Sequence, residues 1–239
     1  MATAELKDRT VLVVGRGTGI ARGVVDVALA AGARVVAAGR NREALEEAYR
    51  GTAVRVQEVD LTDEDSIAAL AREVGAVDHV VSTASARARG TVSELTAAAV
   101  VLSFHTKVVG PIMLAKHFAP LMPEGGSFVL FSGVAAVEPH PGFLAVAATN
   151  GAVNTITRSL AVELAPIRVN AISPGTIDTG AWDALGEQRK AALFADLSAR
   201  NPAGRIGTVE DIAQAVLFAL TNGFLTGATV PIDGGQPLT

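Results

Sequence analysis

Seven short runs rich in Val and Ile alternate with longer stretches of helical periodicity. That alternation predicts a doubly wound α/β fold, a parallel sheet of about seven strands with helices on both faces. Two further observations agree: a glycine-rich turn directly follows the first run, and most runs are apolar throughout, as strands buried on both faces are. With 49% hydrophobic but only 4% aromatic residues, the core must be Ala, Val, Leu and Ile. A chain of 239 residues buries roughly 70% of its extended surface, enough for one full core.

In chain order the predicted strands are Thr10–Val14, 34–38, 53–59, 77–82, Ser127–Phe131, 168–172 and Thr229–Ile232. The predicted helices are 19–31, 42–50, 63–74, 97–122, 143–165 and Val209–Thr221. Gly32 stands just past the first helix, where a left-handed residue is wanted. Thr62 and Thr208 read as N-caps, with Asp65 and Asp211 three residues on. No linker, low-complexity block or fixed-period repeat interrupts the pattern, so residues 1–239 read as one domain. The least regular stretch, 173–207, carries Pro174, Gly175, Gly180, Gly186, Pro202 and Gly204. It reads as a substrate lid with an apolar wall from Ala181, Trp182, Leu185, Leu193 and Phe194; the alternative is a surface insertion whose apolar residues only pack it down.

Composition removes several functions. Zero cysteine excludes disulfides, thiolate nucleophiles and Cys-ligated metals. No His, Asp or Glu spacing suits a metal either, since His105 and His117 lie twelve residues apart. A formal net charge of −4 without a long basic block argues against a nucleic-acid partner. No apolar run is expected to reach the ~18 residues of a membrane span. The polar N-terminus lacks the apolar core of a signal peptide, so the expectation is a soluble, cytoplasmic protein. One tyrosine, Tyr49, leaves a single phenol for acid–base chemistry.

The first strand runs into Gly15-Arg16-Gly17-Thr18-Gly19-Ile20-Ala21 and then a helix. Glycines there permit a tight turn and let backbone N–H groups approach a pyrophosphate at a helix N-terminus. The second strand ends at Ala38-Gly39-Arg40, with no carboxylate where NAD enzymes place one for the ribose. Arg40 and Arg16 can instead clamp a 2′-phosphate, which predicts NADP(H) as cofactor. The alternative is two solvated arginines.

Together with that turn, several segments resemble the short-chain dehydrogenase/reductase family over nearly the whole chain. They are Asp60 in Val59-Asp60-Leu61-Thr62, the turn Ser82-Thr83-Ala84-Ser85, the run Ile167-Arg168-Val169-Asn170-Ala171-Ile172-Ser173-Pro174-Gly175 with Thr179, and Thr226-Gly227 with Asp233-Gly234-Gly235. The resemblance implies a Rossmann-type seven-stranded sheet, NAD(P) binding, a small-molecule substrate, and assembly as homodimer or homotetramer. It also implies which residues hold the cofactor: Gly15, Arg16, Thr18, Gly19 and Ile20 in the turn; Arg40; Asp60 and Leu61; Thr83, Ala84 and Ser85; Lys107; and Pro174, Gly175, Ile177 and Thr179.

The catalytic positions depart from the family's Asn, Ser and Tyr-x-x-x-Lys. Alignment puts Lys107 at the Asn position, Gly133 at the Ser position with Ser132 one residue earlier, Val146 at Tyr, and Asn150 at Lys. Tyr49 lies on the second helix and cannot replace the missing phenol. The Asn and Lys are thus exchanged, and the candidate catalytic residues are Lys107, Ser132 and Asn150. Lys107 would bind the nicotinamide ribose or supply an ammonium at the developing alkoxide, oriented by Asn150. The alternatives are a helix-surface lysine beside a packing amide, and, for Ser132, a local hydrogen-bonder. His140 is a second candidate acid or an exposed loop histidine. The functional reading is an NADP(H)-dependent oxidoreductase of small carbonyls or alcohols with an atypical site. The competing readings are a non-redox lyase or isomerase, and a catalytically inactive nucleotide-binding protein.

Overall fold

The structure, a computed structural model, describes residues 5–180 and 182–239. The strands β1 (Thr10–Val14), β2 (Arg34–Gly39), β3 (Arg55–Glu58), β4 (His79–Ser82), β5 (Ser127–Phe131), β6 (Arg168–Pro174) and β9 (Thr229–Ile232) form one sheet in the order β3-β2-β1-β4-β5-β6-β9. Every neighbouring pair is parallel. The order reverses between β1 and β4, which opens a crevice at their carboxyl ends where such sheets bind ligands.

Period-two alternation divides the core into two layers. On one face Val11, Val13, Val35, Ala37, Val81 and Val129 meet Val24 and Ala28 of α1 (Gly19–Ala30) and Ile212 and Val216 of α8 (Val209–Thr221). On the other, Leu12, Val14, Val36, Val80, Phe128 and Leu130 meet Ile67 and Leu70 of α3 (Glu64–Val74), Leu114 and Phe118 of α5 (Gly110–Phe118), and Val153 of α6 (Leu144–Glu163). The helix α2 (Arg42–Ala48) covers the edge beside β2 and β3.

The predicted strands and helices are all present, with ends differing by a few residues. Gly32 follows α1 with φ +88, as its position requires. Thr208 caps α8 in a reciprocal box with Asp211. The expected Thr62 cap is corrected: Asp63 caps α3 by accepting from the Asp65 N–H, while Thr62 turns its own N–H and hydroxyl to Asp60. The irregular 173–207 stretch contains a helix that its Gly and Pro content hid, α7 (Glu187–Arg200), and the short parallel pair β7 (Ile177–Asp178) and β8 (Gly207–Thr208).

The long helix expected over 97–122 has four parts: α4 (Ala97–Phe104), a π-turn at His105–Val109, α5, and a 3-10 turn at Ala119–Leu121. Pro111 accounts for the π-turn, because its ring removes a donor to the Lys107 carbonyl and crowds that oxygen. This helical run, Ala97–Leu121, also corrects the expectation about apolar length. At 25 residues and mean hydropathy 1.6 it is long and apolar enough to span a bilayer. In the fold it instead lies along the sheet, packed by Leu114, Ala115 and Phe118.

At the amino-terminal end of the central strands β4 and β5, His79 is buried and its Nδ1 lies 2.8 Å from Ser127 Oγ. Burial pushes this imidazole down to about 4. A folded-state value below the unfolded ~6.5 means stability that is complete above that pH and lost as pH falls toward 4. Urea unfolding should therefore show a loss of about 3 kcal/mol from this group between pH 7.5 and pH 4. His79→Asn should flatten that part of the profile; an unchanged profile would contradict the assignment.

Candidate functional site

The turn after β1 is built by close approach. The Gly15 N–H donates to Ala38 O at 2.8 Å, and both the N–H and hydroxyl of Thr83 donate to Val14 O, at 2.9 and 3.1 Å. A Cβ at Gly15 would run into the Thr83 hydroxyl, and one at Gly17 would sit 2.5 Å from Ala48 Cβ. Gly19 has φ +57, and the Thr179 carbonyl lies over it, so the segment after β6 covers the start of α1. Thr18, the N-cap, makes no side-chain cap bond, and the first turn holds no acid. Ile20 packs on the core beneath. By contrast, α2, α3, α4 and α8 are capped by Asn41, Asp63, Thr96 and Thr208. The first N–H groups of α1 and its positive dipole end thus face the crevice without a side-chain cap among the described residues, a place for an anion.

Arg40 is exposed just past β2 and Asp60 lies just past β3. The Thr62 N–H and hydroxyl bonds, 2.9 and 2.8 Å, with the nearby Arg40 guanidinium, hold the Asp60 carboxyl below its usual range. Arg16 is also exposed, and neither arginine forms an ion pair among the described residues. Leu61 is buried beside Gly110. Thr83, Ala84 and Ser85 are half-buried at the end of β4, where the buried Ser82 hydroxyl has no partner among the described residues. Arg168 and Asn170 anchor the far wall: the guanidinium caps Ala219 and Leu220 carbonyls at the end of α8, and Asn170 binds Leu225 O and the Ala228 N–H. That positions Pro174, Gly175, Ile177 and Thr179, with Gly175 held to Ile232 O at 3.1 Å.

At the centre, the structure brings Lys107, Ser132 and Asn150 together. The Lys107 ammonium donates to Asn150 Oδ1 and, at 3.2 Å, to Ser132 O. The Ser132 hydroxyl donates to Asn150 O at 3.1 Å, and Asn150 Nδ2 donates to Gly133 O at 3.2 Å. Lys107 is only 8% exposed and Asn150 3%. Burial, reinforced by the Arg87 guanidinium, pushes the lysine down to about 7. An ammonium has three N–H donors, and two are taken; the third has no partner among the described residues.

Sequence reasoning missed Gly133 as a site residue. A Cβ there would come within 2.8 Å of Asn150 Nδ2, so the glycine makes room for the amide. It also missed Arg87, whose charge reaches Lys107 from the segment after β4; nothing in residue spacing signals that reach.

Other candidates stand apart. Tyr49 is buried behind α2 beneath Arg22, and burial pushes its phenol up to about 12. Val146 is buried on α6 one turn before Asn150. His140 faces Glu138 at 3.0 Å and packs edge-on against Phe143. In the 173–207 segment, Ala181 lies outside the described residues. Trp182 donates to Ile177 O and meets Phe194 edge-on, while Lys190 ties α7 to Asp178 and Asp183 at 2.9 and 2.7 Å.

The sequence profile of a protein family described as enoyl-(acyl carrier protein) reductase matches residues 14–236. L-xylulose reductase of Bos taurus is 35% identical over 242 residues, covering 96% of this chain and 97% of the relative. A short-chain type dehydrogenase/reductase of Mycobacterium ulcerans superposes with a TM-score of 0.89 at 35% identity, over 98% of this chain and 91% of that one. A small-chain dehydrogenase solved in complex with NADPH superposes with a TM-score of 0.81 at 31% identity, over 97% and 99% of the two chains. The sheet order, the open N-terminus of α1 and these likenesses agree, and the chain belongs to the short-chain dehydrogenase/reductase family as an oxidoreductase of that type.

Proposed function

We propose that this protein is an NADP(H)-dependent oxidoreductase of a small carbonyl or alcohol in which Lys107 replaces the family's tyrosine. The observation that carries the reading is the buried Lys107 ammonium, tied to Asn150 and Ser132 with one N–H left over. The cofactor fits the crevice: the open N-terminus of α1 suits a pyrophosphate, the Gly15–Thr83 approach shapes the turn, and the orphan Ser82 hydroxyl awaits a polar partner. Gly15, Thr18, Gly19 and Ile20 would hold the pyrophosphate side. Arg40 and Arg16, free of carboxylate partners, would take the 2′-phosphate; Asp60 and Leu61 the adenine; and Thr83, Ala84, Ser85, Pro174, Gly175, Ile177 and Thr179 the nicotinamide side. NADPH, when bound, supplies the hydride.

The chain's own residues supply the rest. Lys107 Nζ donates its third N–H to the substrate oxygen and stabilises the charge that develops there. It then gives up that proton, which a lysine near neutrality does at modest cost. Asn150 Oδ1 and Ser132 O keep the ammonium aimed, and Gly133 keeps Asn150 in place. Val146 offers no hydroxyl. The reading takes 1–239 as one domain on a continuous sheet. It also takes the chain as a homodimer or homotetramer, supported by exposed Val101 and Val109 on the long helix and Val162 on α6.

A panel of small aldehydes and ketones with NADPH, followed by absorbance, tests this. Lys107→Met should lower kcat/KM by about 10²–10⁴-fold. Since the charged lysine is the donor, carbonyl reduction should fall as pH rises through about 7, and alcohol oxidation should rise over the same range. Cofactor binding without turnover of any carbonyl would contradict the redox reading. Separately, Arg40→Ala should weaken NADPH roughly tenfold or more while leaving NADH unchanged; equal effects on both would remove the phosphate clamp.

A further inference from the structure

Beyond Lys107, cations gather on one segment, whose single carboxylate, Glu94, is engaged by the Thr91 N–H and hydroxyl at 2.7 and 2.8 Å. Arg87 and Arg89 lie in the segment between β4 and α4, and neither forms an ion pair among the described residues. Crowding by protein, and after it the guanidiniums of Arg89 and Arg16, hold Arg87 below its usual range. Arg87 in turn acts on Lys107. Like charges repel appreciably only within about a Debye length, ~8–10 Å in ordinary salt, so Arg87 stands in the neighbourhood of Lys107.

The Gly90 N–H donates to Gly142 O at 3.0 Å, which clamps the segment onto the loop entering α6. The Arg89 guanidinium lies 4.8 Å from the centroid of the Phe143 ring, the residue immediately before α6. A guanidinium parked on an aromatic face keeps its N–H edge free for a planar anion. Asn150 stands on the second turn of that helix, holding Lys107. Neighbouring like charges favour a bound counter-anion, and no ion pair among the described residues supplies one to Arg87 or Arg89.

We infer that the substrate carries an anionic group, a carboxylate or a phosphate ester, which Arg87 and Arg89 bind while its carbonyl faces Lys107. This rests on the oxidoreductase reading above and narrows its substrate class.

The test uses the protein saturated with NADP⁺, so that the cofactor's own phosphates are already seated. Glutarate and inorganic phosphate are titrated calorimetrically. At least one should bind, with affinity falling about tenfold or more in Arg87→Ala and in Arg89→Gln, and largely kept in Arg87→Lys. No binding of either probe, or equal binding by the double variant, overturns the inference. So does binding that disappears once NADP⁺ is saturating, since the arginines would then serve the cofactor. In a second arm, keto acids with one to four carbons between the two carbonyl groups are compared with their methyl esters under NADPH. The acids should be preferred roughly tenfold or more in kcat/KM, and the preference should collapse in Arg87→Ala. Acids and esters reduced equally would overturn the anion site and leave the redox reading standing. Arginine-dependent binding of glutarate or phosphate with no reduction of any carbonyl would support the anion site and contradict the redox reading alone.

Discussion

Holding an ammonium where water is nearly excluded is costly, and the crevice offsets that cost through a small set of fixed acceptors around Lys107. Asn150 Oδ1 and the Ser132 carbonyl accept from it, the Ser132 hydroxyl returns to the Asn150 carbonyl, and Asn150 Nδ2 closes on Gly133. Each group constrains the next. The Asn150 amide fits against the Gly133 backbone because residue 133 has no side chain. Lys107 reaches Asn150 from a π-turn that Pro111 imposes on the helix, which packs against α6. A regular helix would present residue 107 at a different angle. The arrangement leaves the lysine with one spare donor and a proton held near neutrality.

The scaffold separates two tasks. The helices α2, α3, α4 and α8 are closed at the start by a side chain, whereas α1, at the reversal of strand order, is not. Its dipole and N–H groups suit an anion at one end of the crevice. In the proposed reading Arg87, Arg89 and Lys107 gather positive charge at the other. Arg168 and Asn170 spend their hydrogen bonds on the end of α8 and the loop before β9, which fixes the wall from which Thr179 overhangs the turn.

Much of this was legible in the sequence, for physical reasons. Buried parallel strands must be apolar on both faces, so runs such as Thr10–Val14 and Ser127–Phe131 announce themselves and their ends coincide with β1 and β5. The Thr208 box was readable because its partners are local. The Thr62 cap was not, because Asp60, two residues earlier, competes for the threonine's donors. Helix α7 was hidden by the glycines and prolines that flank it, and its polar, exposed surface gives a weak apolar stripe. At the site, alignment with the family motif placed Lys107 and Asn150 opposite one another, because each stands at a fixed offset on a long helix. The roles of Gly133 and Arg87 depend on distances across the fold, which no spacing in one chain encodes.

The central claim is that the crevice holds Lys107 as a near-neutral acid in place of a phenol. Its most direct test is an NMR titration of the Lys107 ε-methylene in the cofactor-free protein, assigned by comparison with Lys107→Met. A midpoint near 7 is expected. It should move upward in Arg87→Ala, because removing a neighbouring cation favours the charged form. A midpoint near the ordinary lysine value of ~10.4, unmoved by Arg87→Ala, would contradict the account.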